Sequence, residues 1–255
     1  MCELIPLKVF FQCLLRKRGY SKDTYSVLET AYYNKPTPYQ QASYGIEVTR
    51  AARSGNVHLI CKLIKCGLSL NPCNKFSESL LHIISRRGKS RNAFQMLSEL
   101  SRLGSQLHLC DDFGRTPLHD ACWTVDPCFR TISLFLDKDV NMLRLIDRRG
   151  STPLDYVEKA NQKKFIEFFL SKKDTYWPMR DPSIEEPPPP LTFFRPHSRI
   201  ISDPSNAMSL DLVSCVAAGK VSPEEAMLLY PDERKYYRIK KSSLQVKRKK
   251  IGSIF

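Results

Sequence analysis

Apolar residues recur three and four positions apart in four separate stretches of this chain, which is the spacing of an amphipathic helix. Each stretch is set off from the next by a segment rich in glycine and polar residues. The pattern therefore predicts four helices that each turn one face to a common core. The apolar positions are Leu59, Ile60, Leu63 and Ile64; Phe94, Leu97 and Leu100; Ile132, Phe135 and Leu136; and Phe165, Ile166 and Phe169.

A short motif precedes each apolar run, and its chemistry predicts a further helix. In the clearest copy, Thr116 can cap a helix with its hydroxyl, and Pro117 takes the first helical position, where a missing N–H costs nothing. Leu118 then faces inward. Thr152, Pro153 and Leu154 repeat the motif 36 residues later, with Asp155 in the position of His119. Weaker copies begin at Ser79, which is followed by His82, and at Ile46.

The ten residues from Gly114 to Trp123 resemble the start of an ankyrin repeat, and the motif returns near the ankyrin period of about 33 residues. The resemblance implies an all-α solenoid of paired helices with hairpin loops. It also implies that His119 hydrogen-bonds within and between units. Two of the spacings between motif copies exceed 33 residues. The extra residues are expected at 90–93 and near 125–128, in the turns between paired helices. The four units would span 44–75, 76–111, 112–147 and 148–175.

The flanks of the array carry a second resemblance. Residues from Tyr20-Ser21-Lys22 through Ser43-Tyr44-Gly45, and from Phe168-Phe169-Leu170 through Tyr176-Trp177-Pro178, are similar to a group of ankyrin proteins predicted from diatom genomes. This similarity covers about residues 20–180 and supports the count of four units. It brings no activity with it.

The N-terminal flank, residues 1–43, is predicted to be helical. Residues 4–15 have the pattern of a short amphipathic helix, with Arg16, Lys17 and Arg18 after it. Such a helix can lie on a membrane or a partner, but covering the end of a repeat stack is the commoner use. Residues 25–33 are predicted as another helix, ended by Pro36.

The C-terminal part divides into three segments. Residues 176–205 are a proline-rich linker, for which a stiff, extended chain is expected. Residues 206–230 are a short helical segment, with one helix over 208–218 that ends at Gly219. A second helix is opened by a capping box from Ser222 to Glu225. Residues 231–255 are a basic tail that is expected to be disordered.

No catalytic, metal or cofactor site is expected. His119, Cys122 and Cys128 lack the paired two-residue spacing of structural zinc ligands. His119 and Asp120 are adjacent, so their side chains diverge on a helix and do not form a nucleophilic site. Nine cysteines without a regular framework favour a reducing compartment, and neither a signal sequence nor a membrane span is apparent. We therefore expect a cytoplasmic or nuclear monomer.

The net charge of +14 predicts acidic partners. The array carries 21 basic against 14 acidic residues, and the tail nine against two. The ankyrin resemblance implies that a protein partner contacts the hairpin tips and the exposed side of each first helix. Trp123 either lies exposed on this surface or packs beneath the loop at 125–128. The candidate binding residues are Arg53, Arg86, Arg87, Arg115, Trp123, Arg148, Arg149 and Lys159.

Two other uses of the chain stay open. The helices at 208–230 would dock onto ubiquitin-ligase machinery if the chain were a substrate receptor, although the usual box of such adaptors is not evident. The basic tail contains Lys247, Arg248, Lys249 and Lys250, the short cationic pattern that nuclear import receptors bind. The same tail also fits a solubility role, or binding to phosphate, nucleic acid or anionic lipid.

Overall fold

The structure, a computed structural model, describes residues 5–22, 26–29, 36–88, 91–181 and 208–229. It is rich in helix, as the apolar periodicity predicts. In chain order the α-helices of these ranges are α1 (Leu7–Lys17), α2 (Pro38–Ala42), α3 (Ile46–Ser54), α4 (Val57–Lys65), α5 (Leu80–Ser85), α6 (Arg91–Leu103), α7 (Pro117–Cys122), α8 (Phe129–Leu136), α9 (Gln162–Tyr176), α10 (Leu210–Ala217) and α11 (Pro223–Leu229). Three 3-10 helices lie at Val140–Arg144, Pro153–Tyr156 and Lys159–Asn161.

The helices from α3 to α8 form three consecutive pairs that stack on one another. The first members, α3, α5 and α7, contact one another in sequence order, and so do the second members, α4, α6 and α8. The core lies between the two rows and includes Leu63, Ile84, Leu97, Leu118 and Phe135, each 1% exposed or less. Each pair therefore buries its apolar faces against its neighbours.

In the second and third units the opening motif forms the predicted helix cap. The Thr116 hydroxyl binds Nδ1 of His119 at 3.0 Å, and the Thr116 N–H donates to the same nitrogen at 3.0 Å. Ser79 and His82 make the same pair of contacts at 2.8 and 3.1 Å. These contacts satisfy backbone N–H groups that a helix end leaves unpaired.

The fourth unit departs from the paired α-helices that were expected. Its motif residues Thr152, Pro153 and Leu154 open a 3-10 helix, Pro153–Tyr156, and a second 3-10 helix leads into α9. Asp155 takes the place of the histidine and accepts the Thr152 N–H at 2.7 Å. The cap is thus kept, although the helix that it opens is shorter and tighter.

The prediction that the insertion at 90–93 forms a loop is wrong for residues 91–93. Residues 91–93 lie in the first turn of α6, which has 13 residues, whereas α4 has nine and α8 has eight. The additional residues therefore lengthen a helix. The insertion near 125–128 does lie between α7 and α8.

The two ends of the stack are covered by the opposite ends of the chain. The N-terminal helix α1 packs on α9 and on Pro153–Tyr156, where Phe11 meets Phe169 and Trp177 with ring centroids 5.2 and 5.0 Å apart. The C-terminal helix α10 packs on α2 and α3.

Two predictions about the flanks are corrected by these contacts. Residues 25–33 are not one helix, because Leu28–Glu29 is a strand, β1, that pairs in parallel with β2, Leu145–Ile146. The Arg144 guanidinium stabilises this crossing by donating to the Ser26 carbonyl at 2.7 Å. The linker does not begin at residue 176, because Trp177 is buried in the core. The Trp177 carbonyl also accepts a hydrogen bond from Nε of Arg18.

The helical segment after the linker agrees with the sequence pattern in its elements. Helix α10 ends before Gly219, whose φ of 73° a glycine adopts without strain. The Ser222 N–H donates to Glu225 Oε2 at 2.8 Å, and the Glu225 N–H donates to Ser222 Oγ at 3.1 Å. This reciprocal pair is the predicted capping box. Residues 182–207 and the tail 231–255, with Lys247, Arg248, Lys249 and Lys250, lie outside the described residues.

Candidate partner-binding surface

Hairpin turns separate the units, and a polar side chain shapes each one. Asn74, Asp111 and Asp147 begin the three turns, and one oxygen of each side chain accepts two backbone N–H groups. The donors lie two and four residues later in every case, at 2.8 to 3.1 Å. These bonds fix the turn locally, as asparagine and aspartate commonly do.

Successive turns are joined to one another by their backbones. The Asp112 N–H donates to the Phe76 carbonyl at 3.0 Å, and the Arg148 N–H donates to the Phe113 carbonyl at 2.8 Å. The Ser77 hydroxyl adds a 2.5 Å bond to Asp112. We call residues 74–78, 111–115 and 147–151 together the hairpin row, because these bonds align them along one edge of the stack.

The buried histidines hold the hairpin row to the helices. Nδ1 of His82 accepts the Ser79 N–H, so Nε2 carries the proton and donates to the Arg115 carbonyl at 2.8 Å. His119 makes the equivalent contact with the Ser151 carbonyl at 3.3 Å. Burial lowers the pKa of His119 to about 4, so the ring is neutral at physiological pH. Each first helix thereby supports the turn of the following unit.

Two phenylalanines at the tips of the hairpin row are exposed. Phe76 and Phe113 are 53% and 54% exposed, at equivalent positions of neighbouring turns. A cation lies over each ring: Lys75 Nζ is 5.0 Å from the Phe76 centroid, and Arg115 Cζ is 5.3 Å from that of Phe113. The sequence interpretation missed both phenylalanines. Their position two residues after the turn-forming Asn74 or Asp111 is the signal that could have found them.

Trp123 lies exposed on the surface and is not packed beneath the loop at 125–128. It is 52% exposed, and its ring meets that of Tyr156 edge to face with centroids 6.2 Å apart. Tyr156 in turn donates its hydroxyl to Asp147 at 2.6 Å. Trp123 is therefore linked through Tyr156 to the third turn of the hairpin row.

Four of the predicted cations are exposed side chains. Arg53 lies in the last turn of α3, and Lys159 lies in the 3-10 helix Lys159–Asn161. Arg148 and Arg149 occupy the third turn of the hairpin row. These four residues are accessible to a partner.

Arg86 and Arg115 are partly engaged inside the fold. Arg86 bridges Glu78 at 2.5 Å and the fully buried Asp120 at 3.1 Å. Burial raises the pKa of Asp120, which the Arg86 charge opposes. Arg115 holds Asp111 through two nitrogens at 2.9 and 2.6 Å. Both arginines therefore bind carboxylates of this chain, and only part of their charge faces outward.

Arg87 is half-buried and contributes to the contact between units. Its Nη1 donates to the Ala52 carbonyl of α3 at 3.3 Å. Asn92 makes a similar contact, donating to the Gly55 carbonyl at 3.0 Å. Arg87 therefore joins the first and second units, and its part in partner binding stays a prediction.

Two tyrosines show that the predicted cations are near one another. Burial and Glu78 raise the pKa of Tyr44 to about 12, and the charges of Arg53 and Arg86 oppose this increase. Burial and Asp147 raise the pKa of Tyr156, and Arg115 and Arg149 oppose that increase. Each tyrosine therefore lies near two of the predicted cations.

The adjacent His119 and Asp120 face different partners, as their positions on a helix predict. The His119 ring binds Thr116 and Ser151, whereas Asp120 faces Arg86. Within the described ranges, no three His, Cys, Asp or Glu side chains form a group that could hold a metal ion. Among the helices given above, none has the length and apolar character needed to cross a bilayer.

Comparison with models of known protein families finds none that matches this chain. A search of curated proteins finds no match either.

Proposed function

We propose that this chain is a non-enzymatic protein-binding module. In this account it is an ankyrin-type stack of four units that holds an acidic segment of a partner protein. The segment lies across the hairpin row and beside Arg53, Trp123 and Lys159. The observation that carries the proposal is the pair of exposed phenylalanines, Phe76 and Phe113, on neighbouring turns among exposed cations.

The ankyrin assignment is supported by features that recur from unit to unit. Helix pairs stack in two rows, and a polar residue shapes each hairpin turn. His82 and His119 hold a carbonyl 33 and 32 residues later, close to one repeat length. These contacts are what a stack of similar units requires, because each unit buries its faces only against its neighbours.

The chemistry of the surface supports a partner with both acidic and apolar side chains. Exposed aromatic rings and arginines are the residue types that contribute most to protein interfaces. Phe76, Phe113 and Trp123 offer apolar area, and Arg53, Arg148 and Arg149 offer charge. Backbone hydrogen bonds between successive turns hold Phe76, Phe113 and Arg148 in place, so little ordering of these turns is needed when a partner binds.

The adaptor alternative is less well supported. Leu212, Val213 and Val216 of α10 are completely buried within this chain. A Cβ atom at Gly45 would overlap the Ala217 carbonyl, so α10 lies directly on the start of the array. The apolar face of this segment is therefore used to cover the stack.

A selection from a random peptide library with the full chain tests the proposal. We expect the selected peptides to be acidic and to contain large apolar residues. The double variant Phe76→Ser/Phe113→Ser should bind them at least about tenfold more weakly, as loss of interface anchors does. Arg149→Glu should weaken binding further, because it reverses a charge at the third turn.

Two matched variants control for general effects of the substitutions. Leu228→Ser removes an exposed apolar residue of α11, and Lys65→Glu reverses an exposed charge of α4. Both should bind the selected peptides like the unchanged protein. Selection of basic or neutral peptides, or equal binding by all variants, would contradict the proposal. Preferential binding of single-stranded nucleic acid would favour the tail-based alternative.

A further inference from the structure

Helix α1 has a second face that the array does not cover. Its buried face, with Leu7, Phe11 and Leu15, packs on the end of the stack. The opposite face carries Val9 and Cys13, and Ile5 lies four residues before Val9, just outside the helix. All three are exposed, and the spacing of four between Val9 and Cys13 places these two in one line along the outer side of α1.

Cations follow this apolar line directly. Arg16 and Lys17 are exposed in the last turn of α1, on the same outer side. The exposed Met179 is close by, because the neighbouring Arg180 N–H donates to the Arg18 carbonyl at 2.9 Å. We call Ile5, Val9, Cys13, Arg16, Lys17 and Met179 the basic end face.

The charge around this face is positive. Residues 7–18 and residues 153–181 together hold ten basic and five acidic residues. Two of the nearby acids are occupied by cations: Asp155 pairs with Lys8 at 3.1 Å, and Asp174 pairs with Arg18. The net field at this end of the molecule therefore attracts an anionic partner.

The shape of the face favours a flat partner. A helix on the outside of a fold presents its line of side chains at one depth along its whole length. A helix that lies in a bilayer interface has this arrangement, with aliphatic side chains among the acyl chains and Lys or Arg at the anionic headgroups. A bilayer needs no concave pocket on the protein that docks on it.

We propose that the basic end face docks on the headgroup region of a bilayer that contains anionic lipid. Docking places α1 in the plane of the membrane without crossing it. None of the residues of the hairpin row belongs to this face. The proposal therefore stands independently of which protein the array binds.

Co-sedimentation of the full chain with vesicles tests the proposal. Vesicles of phosphatidylcholine with about a third phosphatidylserine should bind the protein, and vesicles of phosphatidylcholine alone should not. Raising the salt concentration should weaken binding, because screening acts on exposed charges. Val9→Asp and the double variant Arg16→Glu/Lys17→Glu should each lower the bound fraction at least several-fold. Leu228→Asp and Lys65→Glu are the matched controls and should bind like the unchanged protein.

The basic tail is present in every variant, so a second readout must locate the contact. An environment-sensitive fluorophore on the exposed Cys13 thiol should shift to shorter wavelength when the anionic vesicles are added. The same labelling of a Cys13→Ser variant controls for other thiols. A wavelength shift that depends on Cys13, together with weaker binding by Val9→Asp, supports docking through α1. Equal vesicle binding by all variants, or no change in the Cys13-dependent emission, would overturn the proposal. Saturable binding of an acidic protein through the same residues would instead identify this face as a protein-binding surface.

Discussion

Lys8 Nζ of α1 lies 3.1 Å from Asp155 Oδ2, at the last copy of the repeating motif. His82 and His119 occupy the position of Asp155 in the earlier copies, and each contacts a carbonyl of the following unit. After Asp155 there is no further hairpin turn in the described residues, and the neighbouring element is α1. In the last copy of the motif, Asp155 therefore accepts a hydrogen bond from Lys8 of the covering helix α1. In the earlier copies the histidine ring at this position donates a hydrogen bond to a backbone carbonyl of the next unit.

The packing of α1, more than its ion pair, should stabilise this end of the stack. Phe11→Ala removes a buried ring that contacts Phe169 and Trp177 and should lower the free energy of unfolding by about 3–5 kcal/mol. Lys8→Ala breaks a partly exposed ion pair and should cost about 0.2–1 kcal/mol. Urea denaturation of both variants measures the difference. Equal losses would mean that α1 does not cover the core.

Truncation of core residues in the repeating motif should destabilise the fold strongly. Leu118 is completely buried and Leu154 is 3% exposed. Leu118→Ala and Leu154→Ala should each lower the free energy of unfolding by about 2–5 kcal/mol. An exposed leucine changed in the same way, Leu228→Ala, should have an effect within about 0.5 kcal/mol. A loss below about 1 kcal/mol at Leu118 would show that the core is misplaced.

Gly45 should be required for the contact between the array and the C-terminal helices. A Cβ atom at this position would overlap the Ala217 carbonyl of α10. Gly45→Ala should therefore loosen α10 and α11, and faster amide hydrogen exchange over 208–229 would report it. Helices α7 and α8, which are remote from this contact, should keep their protection. Unchanged exchange over 208–229 would argue against the packing of α10 on α3.

Acid should destabilise the fold in part through His119. The unfolded chain binds a proton near the ordinary histidine pKa of about 6.5, whereas the folded ring does so only near about 4. As the pH falls through this window, the unfolded state gains the proton first, and the free energy of unfolding decreases by up to about 3 kcal/mol. Above this window the contribution of His119 to stability is fully present.

His119→Gln should therefore be less stable at pH 7 but should lose less stability between pH 7 and pH 4. Burial also lowers the pKa of His108 to about 4, so the variant keeps a smaller dependence of the same sign. Denaturation at several pH values measures the slope. The exposed His58→Gln is the matched control and should follow the unchanged protein. Parallel pH profiles for His119→Gln and the unchanged protein would contradict this account of the ring.

Local patterns in the sequence predicted the elements whose determinants are local. The apolar spacing around Leu63, Leu97 and Phe135 identified the second helices, and the motif residues Thr116 and His119 identified the cap geometry. The sequence interpretation failed where distant segments decide the structure. Residues 28–29 became a strand because they pair with 145–146, and Trp177 joined the core because α1 packs against it.

The candidate surface was predicted only in part for a related reason. The exposure of cations such as Arg53 and Arg149 could be predicted from their charge and from their position in the repeat. The structural contact of Arg87 was not predicted, because its hydrogen bond to Ala52 depends on how two units stack. The exposure of Phe76 and Phe113 depends on the turns that hold them outward, which an apolar residue type alone does not indicate.

Amide hydrogen exchange of the full chain, with and without a saturating acidic peptide from the selection, tests the central claim most directly. The account predicts slower exchange in the three turns of the hairpin row, 74–78, 111–115 and 147–151, and around Trp123. Exchange in α4, α6 and α8 should stay the same. Protection confined to those second helices, or to α10 and α11, would contradict a partner-binding surface along the hairpin row.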